Sequence, residues 1–138
     1  MKKGMLLKGL IGMLLLFPLY SQAVTLSGYL EVKRLLALDH PSNKQLESVT
    51  QAYLNGIANG FNFYAIAVKI ENQNNDDFRP LYCPPPKVEQ NGDFMVKHID
   101  AYLDKNPEVK KKQKETPLEL IYILALQDAY PCHADGSL

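Results

Sequence analysis

The feature that most constrains the fold is an uninterrupted apolar run near the carboxyl end of the chain. Seven apolar residues in a row, 120–126, lie between Pro117 and Pro131. Because seven residues make about two helical turns, they cover every side of a helix. A helix that is apolar all round is buried on all sides, inside its own domain or against a second copy of the protein. We therefore predict that this helix is the central element of the fold.

Both ends of this helix carry sequence signals. Thr116 can cap the first free backbone N–H groups, Pro117 suits the first helical position, and Glu119 can reach back in a capping box. Pro131 cannot continue a helix, since proline has no backbone N–H to donate. The segment therefore predicts a helix that begins after Thr116 and ends before Pro131.

The amino-terminal segment has the pattern of a secretory signal peptide. A basic start precedes an apolar stretch (10–17), and Ser21-Gln22-Ala23 places small residues at positions −3 and −1 of a cleavage site. The alternative is a membrane anchor, which needs about 20 apolar residues. Lys8 and Pro18 interrupt the run. We predict that residues 1–23 are a cleaved signal peptide and that the protein is periplasmic.

The mature part, residues 24–138, is long enough for one domain with its own core. The leader holds three of the fifteen basic residues and no acidic residue, which leaves twelve basic against fifteen acidic residues and a net charge of −3. Such a mildly acidic chain gives no reason to expect nucleic-acid binding. We also expect no membrane attachment after signal cleavage.

The chain has two cysteines, Cys83 and Cys132, and both belong to the mature part. In an exported domain two cysteines are expected to form one disulfide, because the compartment is oxidising. The alternatives are two free buried thiols or a metal pair. A metal site needs three or four ligands at short spacing, and only His133 lies nearby. The pattern favours the disulfide and predicts no metal site.

Three more segments show apolar residues at helical spacing. They are 29–38, with Ser27 as its cap, a longer stretch of about 46–70, and a helix from its cap Asp93 to Asn106-Pro107. Together with the carboxy-terminal helix they predict an all-α fold. We expect a small compact bundle of about four to five helices, stapled by one disulfide.

Two glycines interrupt the long second helix. Gly56 and Gly60 lie one turn apart on its apolar face, and each costs about 1 kcal/mol relative to alanine in a helix interior. This cost predicts that another helix approaches closely at both positions. The alternative for residues 61–70 is a strand, because apolar residues also alternate there.

No catalytic set is recognisable in the sequence. The three histidines have no serine or cysteine nucleophile motif to serve. Asp76 and Asp77, with Glu71, could bind calcium, but the segment lacks EF-hand spacing. We therefore expect no enzymatic activity, no cofactor and no metal. An enzyme whose site the sequence does not reveal remains the alternative.

Several short motifs occur in a characteristic order along the mature chain. They are Ser27-Gly28, Tyr53-Leu54-x-Gly56, Tyr82-Cys83-Pro84-Pro85, Tyr102-Leu103-x-x-x-Pro107, Ala125-Leu126 and Ala129-Tyr130-Pro131-Cys132. In these motifs the chain resembles the Rap/Tai immunity proteins, which protect Gram-negative bacteria from peptidoglycan amidases delivered by type VI secretion. The resemblance covers essentially the whole mature chain, and the motifs around the two cysteines are its most specific parts.

The resemblance implies a small helical periplasmic domain (24–138) without catalytic activity, often a homodimer. Such a protein binds its cognate amidase, a papain-like Cys–His hydrolase, and occludes the active-site cleft. Many relatives carry further cysteines around the first two helices, and this chain has none there. The alternative function is an exported envelope or stress protein of the same fold with a non-effector partner.

The polar loop before Cys83 is the predicted contact region. A protruding loop on a rigid scaffold suits an inhibitor that blocks a cleft. We predict partner contacts at Asp76, Asp77, Phe78 and Arg79. A surface loop without a partner is the alternative.

Overall fold

The structure is a computed structural model that describes residues 23–75, 78–83 and 87–132. Residues 1–22 of the predicted signal peptide, Asp76 and Asp77, the three prolines after Cys83, and the tail from His133 lie outside the described residues. The described ranges contain five α-helices. They are α1 (Leu26–Leu36), α2 (Asn43–Glu71), α3 (Gly92–Lys105), α4 (Pro107–Lys112) and α5 (Leu118–Ala129).

The predicted all-α fold is confirmed. The second helix runs unbroken through the 61–70 region, so the alternative of a strand there is wrong. The third helix ends at Lys105, as Asn106-Pro107 predicts, and a short helix follows at once. Helix α3 packs against both α2 and α5, and α1 packs against α2 and α5.

The starts of two helices lie earlier than predicted. The cap of α1 is Thr25, whose hydroxyl accepts a hydrogen bond from the backbone N–H of Gly28 at 3.2 Å. The cap of α3 is Asn91, whose side-chain oxygen accepts from Phe94 N–H at 2.9 Å. Ser27 and Asp93 therefore lie within the first turns of their helices. Because Thr25 and Asn91 have extended backbones, their side chains reach the free N–H groups first.

The predicted side-chain cap of α5 is wrong. Pro117 occupies the cap position without a side-chain hydrogen bond, and the helix begins at Leu118. The Leu118 N–H instead donates to the Val24 carbonyl at 2.8 Å, and Leu26 N–H donates to the Thr116 carbonyl at 2.9 Å. A backbone bridge from the start of the described chain thus satisfies the helix terminus that Thr116 was expected to cap.

The core lies where α3, α5 and α2 meet. Its buried large side chains come from all five helices, and include Leu26, Leu54, Met95, Ile99, Leu103, Val109, Leu118, Ile121, Tyr122 and Leu126. Helix α5 is not buried on all sides, however, because Leu120 is 51% exposed. The prediction of all-round burial within the domain is therefore wrong. Helix α5 packs against α1 and α3 and contacts α2 through the rings of Tyr122 and Phe61, and two of its residues, Glu119 and Ile123, line an open groove.

The predicted disulfide between Cys83 and Cys132 is confirmed. It ties segment 78–83 to the end of α5, and the Cys83 N–H reinforces the link by donating to the Tyr130 carbonyl at 2.9 Å. A disulfide of this kind indicates an oxidising environment outside the cytoplasm. Among the described residues, no helix combines the length and the apolar character that crossing a membrane requires.

Candidate interaction surface

Helix α2 carries a row of exposed apolar residues along its length. Phe63 is 72% exposed, and Val49, Ile66 and Ile70 are each more than half exposed. Only Leu54 and Ala58 of this helix are fully buried. Side chains this large and exposed, grouped on one helix, are typical of a surface that another molecule covers.

The exposed residues follow a regular spacing. Steps of three and four residues connect Val49, Ala52, Gly56, Asn59, Phe63, Ile66 and Ile70, which we call the α2 stripe. All seven are exposed. This alternation is the a/d pattern by which one helix packs along another. The α2 stripe is therefore a helix-packing face without a helix on it among the described residues.

No other helix of the described chain approaches the two glycines, so the predicted close approach is not made inside the domain. An added Cβ on Gly56 or Gly60 would meet nothing within 4 Å, and both residues are exposed. Because these glycines have no side chain and no helix of the described chain packs on them, they leave an open hollow on α2. The close glycine contact lies elsewhere, at Gly92, where an added Cβ would lie 2.7 Å from the Gln51 side-chain nitrogen.

An open groove of about 350 Å³ lies between α2 and α5, next to the α2 stripe. Its lining is almost entirely apolar and comprises Gly56, Ile57, Gly60, Phe61, Tyr64, Leu81, Glu119 and Ile123. Leu81 brings the segment before the disulfide to the edge of this groove. The groove and the α2 stripe share Gly56, so the two features form one continuous apolar surface.

Glu119 is the charged residue in this groove. Its Oε1 accepts a hydrogen bond from the Tyr53 hydroxyl at 2.8 Å, and the Tyr53 oxygen accepts from Val24 N–H at 3.3 Å. Burial, followed by the bond to the Glu119 carboxylate, raises the pKa of Tyr53. This chain of contacts joins α2, the start of α5 and the beginning of the described chain.

Gln90 is a polar residue buried in the core, and it makes several hydrogen bonds there. It is 2% exposed, its amide nitrogen donates to the Tyr82 hydroxyl at 2.9 Å, and its amide oxygen accepts from the Tyr122 hydroxyl. Its backbone is held as well, because Asn62 both donates to the Gln90 carbonyl at 2.7 Å and accepts from its N–H at 3.0 Å. Gln90 therefore fixes the loop after the disulfide to α2 and α5.

The predicted contact residues lie in part outside the described chain. Asp76 and Asp77 are not described. Phe78 is half-buried, and its N–H donates to the Asn75 carbonyl at 3.2 Å. Arg79 is exposed, and its guanidinium donates to the Phe78 carbonyl at 3.2 Å. The two described residues thus lie together, on the segment that leads to the disulfide.

The described titratable groups form no recognisable metal or nucleophile site. Within the ranges that the structure describes, no three metal-ligating side chains come together. His98 is half-buried and has structural partners, since its Nδ1 lies 2.8 Å from the Phe94 carbonyl oxygen and its Nε2 lies 3.1 Å from the Tyr130 hydroxyl. Its ring also contacts the rings of Phe94 and Tyr130.

Sequence reasoning missed the α2 stripe and Gln90. Helical spacing predicted that α2 has an apolar face, but it did not show which of its apolar residues, such as exposed Val49 and half-buried Tyr53, face solvent. The three-and-four spacing of the stripe was the available signal for a second apolar face. No local signal marks Gln90, a polar residue in a polar loop.

Comparison of this chain with protein-family models, with curated proteins and with solved structures finds no match. The resemblance to the Rap/Tai immunity proteins therefore stays a prediction. The described residues present a disulfide-fixed segment, an apolar groove and a helix-packing face that none of their other helices covers.

Proposed function

We propose that this protein is a periplasmic immunity protein of the Rap/Tai type, which binds a peptidoglycan amidase and occludes its active-site cleft. The observation that carries the proposal is segment 78–83, in which exposed and anchored residues alternate. Arg79 and Leu81 face solvent, Tyr82 is buried, and Cys83 is bonded to Cys132. Exposed groups on a rigid base suit an inhibitor, because a loop that need not be ordered on binding loses less affinity.

The composition of the proposed contact region supports the same role. Phe78 and Leu81 supply apolar surface and Arg79 supplies a cation. Aromatic residues and arginine are enriched among the residues that dominate binding energy at protein interfaces. These residues, and the predicted contacts Asp76 and Asp77 that lie outside the described residues, are the ones that we assign to the amidase.

We propose that a second copy of the chain covers the α2 stripe, and that the two α2 helices pack antiparallel in a symmetric homodimer. In a two-fold interface the same patch is used by both copies, so if residue i of one copy contacts residue j of the other, residue j of the first also contacts residue i of the second. With the axis between Asn59 and Gly60, the Phe63 ring faces the small Gly56 near the centre, and apolar residues of similar size face each other towards the two ends. The facing pairs are Val49 with Ile70, Ala52 with Ala67, and Gly56 with Phe63.

Charge and length support this arrangement. The α2 stripe and the paired Ala67 contain no charged residue, so the face meets its own copy without like-charge repulsion. Helical geometry places Glu47 and Lys69 about half a turn from Gly56, away from the contact. From Val49 to Ile70 the stripe is about 33 Å long at 1.5 Å per residue. The Phe63 ring would cover the hollow that Gly56 leaves in the other copy.

The amidase role is tested by inhibition with a matched pair of variants. The mature protein is purified and added to the amidase encoded beside its gene, and cleavage of cell-wall peptide stems is measured. We expect stoichiometric inhibition, weakened at least about tenfold by Arg79→Asp, since loss of a central interface arginine costs about 2 kcal/mol. Arg34→Asp, on the exposed side of α1, should leave inhibition unchanged.

Unchanged amidase activity at excess protein would refute the immunity role. Broad binding of unfolded proteins through the apolar groove, without a stable amidase complex, would instead support the envelope or stress function. Turnover of cell-wall fragments by the purified protein alone would support an enzyme.

The homodimer is tested by the molar mass in solution, measured by light scattering on a size-exclusion column. Phe63→Glu should convert a dimer into a monomer, because it places a charge at the centre of the packed face. Leu38→Glu is the matched control, since Leu38 is also half exposed but lies outside the α2 stripe. A wild-type monomer at high concentration would refute the proposed packing.

A further inference from the structure

Glu119 has an incompletely paired carboxylate at the start of α5. Its Oε1 accepts from the Tyr53 hydroxyl at 2.8 Å. Its Oε2 is buried and has no hydrogen-bond partner among the described residues. Buried polar atoms in native proteins are almost always hydrogen-bonded, because an unpaired one loses its contact with water without compensation. The geometry calls for a donor beside Oε2.

Val24 is held beside this carboxylate from both sides of its backbone. Its nitrogen donates to the Tyr53 hydroxyl oxygen at 3.3 Å, and that same hydroxyl donates to Glu119. Its carbonyl accepts from the N–H of Leu118, the residue before Glu119, at 2.8 Å. As part of a peptide bond, however, the Val24 nitrogen has a single hydrogen, which is already used on Tyr53.

We propose that the chain is processed between Ala23 and Val24, and that the new α-ammonium group of Val24 pairs with Glu119. A signal peptidase adds water across this peptide bond. The carboxylate remains on Ala23, and the amino group of Val24 takes up a proton. The ammonium group then has three N–H donors, of which one keeps the bond to Tyr53 and another turns to Glu119 Oε2.

Only a new amino terminus at Val24 lies in the right place to pair with Glu119. Ala23 is exposed and lies outside any helix, so its peptide bond is accessible at the point where the chain joins the fold. A terminus two residues earlier lies about 7 Å farther along an extended chain. A terminus one residue later removes the Val24 carbonyl that accepts from Leu118. The bond between Ala23 and Val24 is therefore the one whose hydrolysis places a positive charge at Glu119.

The pairing explains why an acidic residue lines an otherwise apolar groove. A charge-assisted bond between ammonium and carboxylate is about twice as strong as a neutral one. The processed chain would thus be tied to the start of α5 by an ion pair as well as by the backbone bridge. This inference does not depend on the amidase role, because it concerns maturation of the chain and not its partner.

The experiment uses the full 138-residue chain, exported from a bacterium and purified after processing. Intact mass should show a product that begins at Val24. Two single changes each remove the pairing: Glu119→Gln, which keeps an oxygen for Tyr53, and a Gly-Ser insertion between Ala23 and Val24. Each should lower the melting temperature by about 4 to 8 °C, as expected for loss of one such interaction in a domain of this size.

The combined variant distinguishes the ion pair from two unrelated effects. If both changes remove the same interaction, together they lower the melting temperature no more than the larger single change does. The control Glu115→Gln alters an exposed acid in the turn before α5 and should leave it unchanged. Additive losses would overturn the proposal, as would a mature product that begins at another residue.

Chemical reactivity of the amino group gives a direct measurement. A reagent selective for α-amines, such as 2-pyridinecarboxaldehyde, is followed by mass spectrometry. In the wild type the amino-terminal amine, on Val24, should react at least about tenfold more slowly than the Val24 amine of Glu119→Gln or the amine of the inserted glycine in the insertion variant, because its paired form is protonated and covered. Equal rates in all three proteins would overturn the proposal, even if Glu119→Gln proved too unstable to melt cooperatively.

Discussion

Replacing Gln90 with leucine should be the most damaging polar-to-apolar change in the described core. Leucine is similar in size to glutamine, so the change leaves little cavity and removes the two amide partners of Tyr82 and Tyr122. The Tyr122 hydroxyl is then left buried without a partner, which costs about 1–3 kcal/mol. The Tyr82 hydroxyl keeps its hydrogen bond to the Phe61 carbonyl at 3.4 Å. Loss of its other bond, to the Gln90 amide, therefore costs only about 1 kcal/mol of stability.

The expected loss is therefore about 2–4 kcal/mol in the free energy of unfolding. For a domain of this size it corresponds to a fall in melting temperature of roughly 10–15 °C. Urea unfolding followed by far-UV circular dichroism measures the free energy, with an unchanged slope as the sign of an intact two-state transition. Gln127→Leu is the matched control, because Gln127 is exposed on α5. It should change the free energy by less than about 0.5 kcal/mol.

A double-mutant cycle tests the reasoning more strictly. Tyr122→Phe alone leaves the Gln90 amide oxygen unpaired, and so it should also destabilise the fold. With both changes, no polar group is left over at this contact, and the pair should be more stable than the sum of the single effects predicts. Additive effects, or a Gln90→Leu variant within 0.5 kcal/mol of the wild type, would refute a role for this network.

Three further predictions concern other parts of the molecule. Cys132→Ser should destabilise the protein by up to about 4 kcal/mol, because the disulfide closes a loop of about 50 residues, and reductant should lower the melting temperature of the wild type but not of the variant. Gly60→Ala should stabilise the monomer by about 0.5–1 kcal/mol in urea unfolding, since α2 leaves room for the methyl group, whereas Gly92→Ala should destabilise it by contact with the Gln51 side chain. Burial raises the pKa of both Tyr29 and Tyr122 above its usual value near 10, so their contribution to stability is complete below pH 10 and is lost as pH rises through the raised values. A titration of tyrosinate absorbance should show these two groups ionising only as the protein unfolds, and their ionisation near pH 10 in the folded protein would contradict this.

Local sequence patterns were sufficient to predict the four longer helices and the disulfide. Periodic apolar residues located the four longer helices, and Asn106-Pro107 marked the end of α3. The disulfide followed from the number of cysteines and the predicted export. The caps were less predictable. Thr25 and Ser27 are both good cap residues, and the choice between them depends on where the chain leaves its contact with residues 114–116.

The surface was harder to predict than the fold. Helix α2 is apolar around most of its circumference, so spacing alone could not say whether Gly56 and Gly60 face a neighbour or solvent. Of the predicted contact residues, Phe78 and Arg79 lie together beside the disulfide, and Asp76 and Asp77 are outside the described residues. Their role as contacts remains a prediction, since affinity depends on a partner that one sequence does not contain.

The sequence by itself determined that this chain is helical and where its longer helices lie, because helix formation and chain breaks depend on neighbouring residues. It also determined that the two cysteines form a disulfide, because an exported chain with two cysteines is expected to pair them. Only the tertiary structure decided which sides of those helices are buried. Leu120 and Phe63 are as apolar as Leu54, yet they are exposed and Leu54 is buried. Burial depends on what lies opposite a side chain, and those neighbours come from distant parts of the chain, as Gln90 does for Tyr122 and Val24 for Tyr53.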